Sequence, residues 1–315
     1  MISLRYHVIS IAAVFLALAV GVVLGSTALS GSLLSGLSNE KGELASQVSD
    51  LQAQRNQLNA RLTDADAFAG AMGPKVVAGA LDKRSVVMVT TEETSPADRD
   101  ALKQLITQSG ATVTGELQLT SSFMDPAKAD QLRQVVTRLQ PAGATFPTAG
   151  DPGTLAGALV GSVLLLNKDT AQPQSTTAEL AAAIGGLTDG GFVKASPNIG
   201  PGQLAVVMTA GQATGDGAGD KAATLARFSA QLDRSGAGTV LAGDPASAEG
   251  TGAIGVVRAD TSATSILSTV DNVNTAAGRV ATVLALREQL DGAVGRYGIA
   301  GNAQAPAPGV NPSGS

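Results

Sequence analysis

The sequence has no cysteine and no tryptophan, and aromatic residues make up only 3% of its 315 residues. Without cysteine, the chain can form neither disulfide bonds nor thiolate metal sites, and cysteine content says nothing about the compartment. With few aromatic residues, a core must be built from Ala, Val and Leu. Such a core suits helices packed closely on a sheet better than an aromatic-lined barrel.

Basic residues are also few. The chain carries 21 Lys and Arg against 26 Asp and Glu, a net charge of -5, and has no long basic run. Binding to phosphate backbones requires clustered Lys and Arg. We therefore expect no nucleic acid partner.

The longest uncharged stretch is at the N-terminus, MISLRYHVISIAAVFLALAVGVVLGS. An apolar run of about 18 residues or more can cross a membrane as a helix. Arg5 precedes the run and no positive charge follows it up to Asn39, so the positive-inside rule predicts a cytoplasmic N-terminus and an extracytoplasmic remainder. Cleavage of a signal peptide after Ala28 is the alternative. The length of the run favours an uncleaved anchor over residues 1–30.

Small residues recur at every fourth position of this stretch, at Ala13, Ala17, Gly21 and Gly25. The last two form a GxxxG spacing, which lets two transmembrane helices approach closely. The row predicts a helix-packing face within the membrane.

A seven-residue repeat of leucine follows. The repeat predicts a coiled-coil stalk over residues 31–72, closed by Gly70 and Gly73-Pro74, with one apolar seam. The seam consists of Leu37, Leu44, Val48, Leu51, Leu58 and Leu62. Lys41 and Arg55 occupy the other core positions, which weakens a dimer but restricts register and partner. The seam indicates a parallel homodimer or docking of a coiled-coil partner, and packing on the chain's own domain is the alternative.

From about residue 80 to 300, short apolar runs alternate with helical patterns. The alternation predicts an α/β domain with a mostly parallel sheet covered by helices. Strands are predicted at Ser85–Thr90, Ala111–Thr120, from Phe192, Leu204–Ala210, Thr239–Gly243 and Ala253–Ala259. Helices are predicted at 95–109, from 125, 155–166, 176–187 and 220–234, with a short last helix ending near Tyr297. Residues 301–315 have the composition of a disordered tail.

No motif in the domain indicates catalysis. The glycine-rich segment 211–219 lacks the Gly-Lys of a phosphate-binding loop because Asp220 intervenes, so it is interpreted as a flexible loop with an Asp helix cap. Glu92 and Glu93 are candidates for a metal ligand or a general base, although carboxylates before a Ser-Pro helix start more simply complement the helix dipole.

Soft metals require Cys, Met or His, and Met88 and Met208 lie within predicted core strands. The single histidine, His7, lies at the membrane edge. We expect no enzyme, no evident cofactor and no identifiable metal ligands.

Several stretches resemble an actinobacterial family, the copper transport proteins named MctB, over about residues 1–297. The resemblance is carried by MISLRYHVISIAAVFLALAVGVVLGS, NEKGELASQVSDLQAQRNQLNARL, GTVLAG and STVDNVNTAAGRVATVLAL. It implies a cell-envelope protein of copper homeostasis, described as an outer-membrane channel, with copper ions as a ligand. SteB-like relatives imply instead a membrane-anchored coiled-coil scaffold in cell separation, which binds a peptidoglycan hydrolase. The apolar helix and the seam favour a scaffold, whereas the family name favours copper transport.

Overall fold

The computed structural model describes residues 4–148 and 150–310, except the side chains of residues 27–38. Contacts divide the chain into two units, Met1–Ala65 and Asp66–Ser315. One helix, α1 (Leu4–Val76), forms the described part of the first unit and continues into the second.

In the first unit, α1 carries its apolar side chains on the surface. The segment Leu4–Ser26, 23 residues long, is long and apolar enough to cross a membrane, and none of it is buried in the structure. The described seam side chains are also exposed; Leu44 and Leu51 are each 64% accessible. Helix formation over the anchor and the stalk is therefore confirmed, whereas pairing of the seam with a second helix remains a prediction.

The second unit is built on a seven-stranded sheet in the order β3-β2-β1-β4-β5-β6-β7. The strands are β1 (Ser85–Thr91), β2 (Thr112–Leu119), β3 (Val193–Ala195), β4 (Leu204–Met208), β5 (Thr239–Ala242), β6 (Ser268–Val270) and β7 (Arg296–Tyr297). Strand β3 pairs antiparallel with β2 at one edge, and every other pairing is parallel. The predicted α/β class and mostly parallel sheet are confirmed.

Helices cover both faces of the sheet. They are α2 (Pro96–Gln108), α3 (Ser121–Met124), α4 (Ala129–Arg138), α5 (Pro152–Leu164), α6 (Thr177–Asp189), α7 (Ala218–Ser235), α8 (Ala253–Ala259), α9 (Thr261–Thr264) and α10 (Ala276–Leu290). Alternate residues of each strand point to opposite faces. Val87 and Val89 therefore join a core beneath helices α3 to α8, whereas Val86 and Met88 join a second core beneath α2 and α10. Burial on both faces explains why β1 and β4 are continuous apolar runs.

Two predictions for residues 253–297, which include strands β6 and β7 at one edge of the sheet, were wrong. AIGVVRA, predicted as a strand, is helix α8, which buries Ala253, Ile254 and Val257 on one face. A short apolar run does not by itself distinguish a strand from a buried helix. The strand in this region is β6, which has three residues, two of them hydroxylic. The last helix ends at Leu290 rather than near Tyr297, which lies in β7.

The last turns of α1 pack against α10 within the second unit. Asp66 Oδ1 accepts a hydrogen bond of 2.6 Å from Ala276 N, the first residue of α10. A Cβ atom at Gly73 would lie 2.9 Å from Val280 Cγ2. Gly73 and Pro74 therefore do not end the helix as predicted. The missing side chain of Gly73 admits α10, and the helix ends after Val76.

Helices α5 and α7 pack at unusually close range. Gly153, Gly157 and Gly161 lie four residues apart on one face of α5, and a Cβ atom at any of them would collide with α7. At Gly157 that atom would lie 2.7 Å from the carbonyl oxygen of Phe228. The apolar segment 155–166 is thus a buried helix, as predicted, and its glycines allow α7 to approach.

The segment after β7 folds back over the sheet. Arg258 Nη1 forms a 2.6 Å salt bridge to Asp271 Oδ2, with both side chains at most 2% exposed. Arg258 also donates to Asn302 Oδ1 at 2.7 Å, and Asp271 Oδ1 accepts from Ile299 N at 2.7 Å. Burial lowers the pKa of Arg258, and its partner Asp271 opposes that effect. These contacts hold residues 299–302 in place. The predicted tail begins at residue 301, and its residues 311–315 lie outside the described residues.

Candidate functional site: a crevice at the carboxyl ends of strands β1 and β4

The crevice lies where the strand order reverses. From β1 the chain proceeds to β2 on one side, and β4 pairs with the other side of β1. The loops that leave β1 and β4 therefore run in opposite directions, which opens a gap between them. Ligands of open parallel sheets bind at this topological switch point.

Hydrogen bonds brace both walls of the crevice. On the β1 side, Thr94 Oγ1 donates to the carbonyl oxygen of Met208 at 3.1 Å, which ties the end of β1 to the end of β4. On the other side, Ala213 and Thr251 are joined twice. Thr251 Oγ1 donates to Ala213 O at 2.8 Å, and Ala213 N donates to Thr251 O at 3.2 Å. The chain's own hydrogen bonds therefore hold both walls in place.

The crevice encloses about 150 Å³ and is lined from five segments of the chain. Its lining residues are Glu93, Met124, Thr209–Thr214, Lys221, Ala222, Leu225, Thr251 and Ala253. Typical small-molecule sites measure about 300–1,000 Å³. The space suits a small molecule and is too small for a dinucleotide.

The glycine-rich loop from β4 leads into α7 without a side-chain cap. The N-cap residue is Gly217, in the left-handed conformation (φ +70°), and Pro126 packs where its side chain would be. The predicted Asp cap is therefore wrong, because Asp220 lies inside the first turn. An acidic residue in this turn complements the helix dipole and opposes a bound phosphate.

Of the two glutamates after β1, only Glu93 lines the crevice. Glu92 points to the neighbouring strands instead: its carboxylate lies 2.7 Å from Lys194 Nζ and accepts a hydrogen bond from Ser121 N at 2.8 Å. The hydrogen bond from Lys194, followed by that from Ser121, lowers the pKa of Glu92. Glu92 therefore ties the end of β1 to β3 and α3.

A second perturbed carboxyl lies away from the crevice, at the other end of α7. Burial raises the pKa of Asp233 to about 7, and the hydrogen bond from Thr239 N opposes the rise. That bond is 2.7 Å long and joins the end of α7 to the start of β5. Asp233 therefore has a structural position between a helix and a strand.

The described methionines have different surroundings. Met88 and Met208 are fully buried in the core beneath α2 and α10, as predicted, and Met124 lines the crevice without a second thioether. Within residues 4–148 and 150–310, no three His, Cys, Asp or Glu side chains come together in a metal-binding arrangement. His7 lies on the exposed surface of α1.

The predicted helix-packing residues and the predicted seam residues lie on α1, in the first unit of the chain. Ala13, Ala17, Gly21 and Gly25 lie exposed along the apolar part of α1, and no atom comes within 4 Å of a Cβ placed at Gly21 or Gly25. Of the seam, Leu44, Val48, Leu51, Leu58 and Leu62 are exposed on the same helix. Leu37 lies outside the residues whose side chains are described. Sequence patterns did not identify Thr209, Thr251 or Met124, because only the paired ends of β1 and β4 bring them together.

Comparison with known proteins shows which family the chain matches. Residues 1–308 match the family described as "Copper transport outer membrane protein, MctB". The chain is 40% identical over 303 residues to "Copper transporter MctB" of Mycobacterium tuberculosis (strain ATCC 25618 / H37Rv), an alignment that covers 95% of this chain and 96% of the relative. The protein of the same name from Mycobacterium leprae (strain TN) is 41% identical over 307 residues, with the same coverage.

The similarity extends over the apolar helix, the heptad segment and the α/β domain together, and the family resemblance seen in the sequence is confirmed. The chain belongs to the MctB family of copper transport proteins.

Proposed function

We propose that the protein lowers the copper content of the cell as a membrane-anchored, non-enzymatic envelope component that works as an assembly. The family supplies the link to copper, since its relatives are named copper transporters. The observation that carries the assembly is the exposed leucine seam directly beyond an apolar helix. One such helix can tether and pair, but it cannot by itself conduct an ion.

The proposed orientation follows from charge. Arg5 flanks the apolar segment on its N-terminal side, and the stretch beyond it carries no positive charge up to Asn39. This asymmetry favours a cytoplasmic N-terminus and an extracytoplasmic α/β domain. The family's description names the outer membrane, and the same single anchor would serve at either membrane.

The proposed pairing of two chains is based on the solvent exposure of the leucine seam. Leu51 is 64% and Leu62 68% accessible, although large apolar side chains at a seven-residue spacing are stable in water only when a partner covers them. The row of small residues from Ala13 to Gly25 lies in the same helix and would allow close approach within the membrane. Both features support a parallel homodimer.

Copper content tests the function. In a strain lacking the gene, we expect elevated cell-associated copper, which the wild-type chain restores. The variant with Leu44, Leu51 and Leu58 all changed to Asp should fail to restore it, because carboxylates cannot be buried in a dimer seam. The measurement is copper per cell by mass spectrometry, with immunoblotting to confirm equal amounts of protein.

The matched control changes three exposed residues of the same helix, Ser46, Ala53 and Ala60, to Asp. These positions lie outside the seam, so copper content should match that of the wild type. If the deletion strain and the wild type hold equal copper, the copper function is wrong. If the seam variant restores copper fully, the assembly is not required.

Orientation and pairing are testable together because the chain has no cysteine. In Ala53→Cys, on the outer face of the helix, the introduced thiol should react with a membrane-impermeant maleimide in intact cells. On mild oxidation Leu51→Cys should yield a disulfide-linked dimer, since identical core positions face each other in a parallel coiled coil. Ala53→Cys, two residues away, should crosslink poorly. Labelling only after lysis would reverse the orientation, and equal crosslinking at both positions would contradict the seam.

The same exposed seam supports a second candidate, a scaffold in cell-wall remodelling that docks a partner helix, such as that of a peptidoglycan hydrolase. This function needs no copper chemistry. Here Leu51→Cys would crosslink to a different protein rather than to a second copy, and deletion would alter cell separation at unchanged copper content.

A further inference from the structure

The crevice at the ends of β1 and β4 contains two opposite charges that have no ionic partner. Lys221 Nζ donates to the carbonyl oxygen of Thr214 at 3.2 Å. In the part of the chain that the structure describes, no carboxylate lies within 4.0 Å of it, and no cation lies within 4.0 Å of the Glu93 carboxylate. Both residues line the same small space.

The floor of the crevice is apolar. Leu225 and Ala253 are each less than 5% exposed, as is Ala222, and Met124, which packs against the same core, also lines the crevice. An apolar floor with a few polar groups at the rim is the usual composition of a small-molecule site. A ligand for this crevice therefore needs a short apolar body and polar ends.

We propose that the crevice binds a small zwitterion, namely a free amino acid with a short aliphatic side chain. Its carboxylate pairs with Lys221, its ammonium group pairs with Glu93, and its side chain rests on the floor formed by Ala222, Leu225 and Ala253. This site is independent of copper and of the leucine seam, which lies in the other unit of the chain.

The preformed walls favour such binding. The bond from Thr94 to Met208 and the paired bonds between Ala213 and Thr251 fix the loops before a ligand arrives. A rigid site loses little conformational entropy on binding, so even a small ligand gains net affinity. A phosphate is a poorer occupant because Asp220 lies in the first turn of α7.

Binding to the full-length chain in detergent tests the proposal. L-Alanine and L-valine should bind, as measured by saturation-transfer NMR and calorimetry. For L-valine, the analogues isovalerate and isobutylamine each keep one charge and the apolar body. Each analogue should bind at least about tenfold more weakly, because it loses one charge-assisted contact.

Two variants locate the site. Lys221→Met and Glu93→Gln should each weaken L-valine binding by about tenfold or more. Lys103→Met and Glu43→Gln, which change exposed residues that are not among those lining the crevice, should leave it unchanged. The proposal is overturned if neither amino acid binds, if a single-charge analogue binds as well as L-valine, or if both crevice variants bind like the wild type. None of these outcomes bears on the copper content of the deletion strain.

Discussion

Replacing Asp271 by alanine should lower the free energy of unfolding of the α/β domain by about 3–5 kcal/mol, because the change leaves the Arg258 guanidinium buried without its counter-charge. Asp271 is fully buried and Arg258 is 2% exposed. The carboxylate also accepts hydrogen bonds from the backbone at Ile299 and Ala300, so these donors would lose their partner as well. Pulse proteolysis in urea on the full-length chain measures the loss in the folded domain without interference from the apolar helix.

The matched control is the exposed pair Arg287 and Asp291, one turn apart on α10. Its nitrogen and oxygen atoms are 3.2 Å apart, with side chains 48% and 60% exposed. Asp291→Ala should change stability by no more than about 0.5 kcal/mol, since solvent screens such pairs. Equal effects of the two substitutions would show that burial does not decide the contribution of the Arg258–Asp271 pair.

Gly157→Ala should destabilise the domain by about 1–3 kcal/mol, although alanine is the better helix former. The new methyl group would lie 2.7 Å from the carbonyl oxygen of Phe228 in α7 and 2.9 Å from Gln231 Cβ. The two helices would have to separate, and the core that they share would lose contacts. The same urea series measures the change.

Gly185→Ala in α6 serves as the control because the added Cβ meets no atom within 4 Å beyond its chain neighbours and the adjacent backbone of its own helix. There the substitution should stabilise the domain by about 0.5–1 kcal/mol, the usual advantage of alanine within a helix. Opposite signs at the two positions are the expected result. A stabilising effect at Gly157 would mean that α5 and α7 do not need their close approach.

The strongest sequence patterns identified most of the architecture. The apolar N-terminal run, the heptad repeat and the continuous apolar runs of β1 and β4 each depend on one local periodicity, and the structure contains the corresponding helix and strands. Apolar runs of about four to eight residues fit either a strand or a buried helix. AIGVVRA became helix α8 because Ile254 and Val257 are buried together on one helix face.

Fewer features of the crevice than of the fold could be predicted from the sequence. Glu93 follows β1 and the segment 211–219 follows β4, and the carboxyl ends of parallel strands share one edge of the sheet. The sequence did not show that Glu92 turns away to Lys194, or that Met124 and Thr251 close the crevice. These facts depend on which strands are neighbours, and several strand orders are compatible with the same alternation of elements.

By itself, the sequence determined a membrane-competent N-terminal helix, a leucine seam and an α/β domain, because each follows from the spacing of apolar residues along the chain. Only the tertiary structure decided that Gly157 serves helix packing, that Arg258 and Asp271 fasten the C-terminal segment, and that Lys221 and Glu93 face one crevice. The physical reason is that these contacts join residues far apart in the chain. Their geometry is set by the order and register of the strands, which no local pattern records.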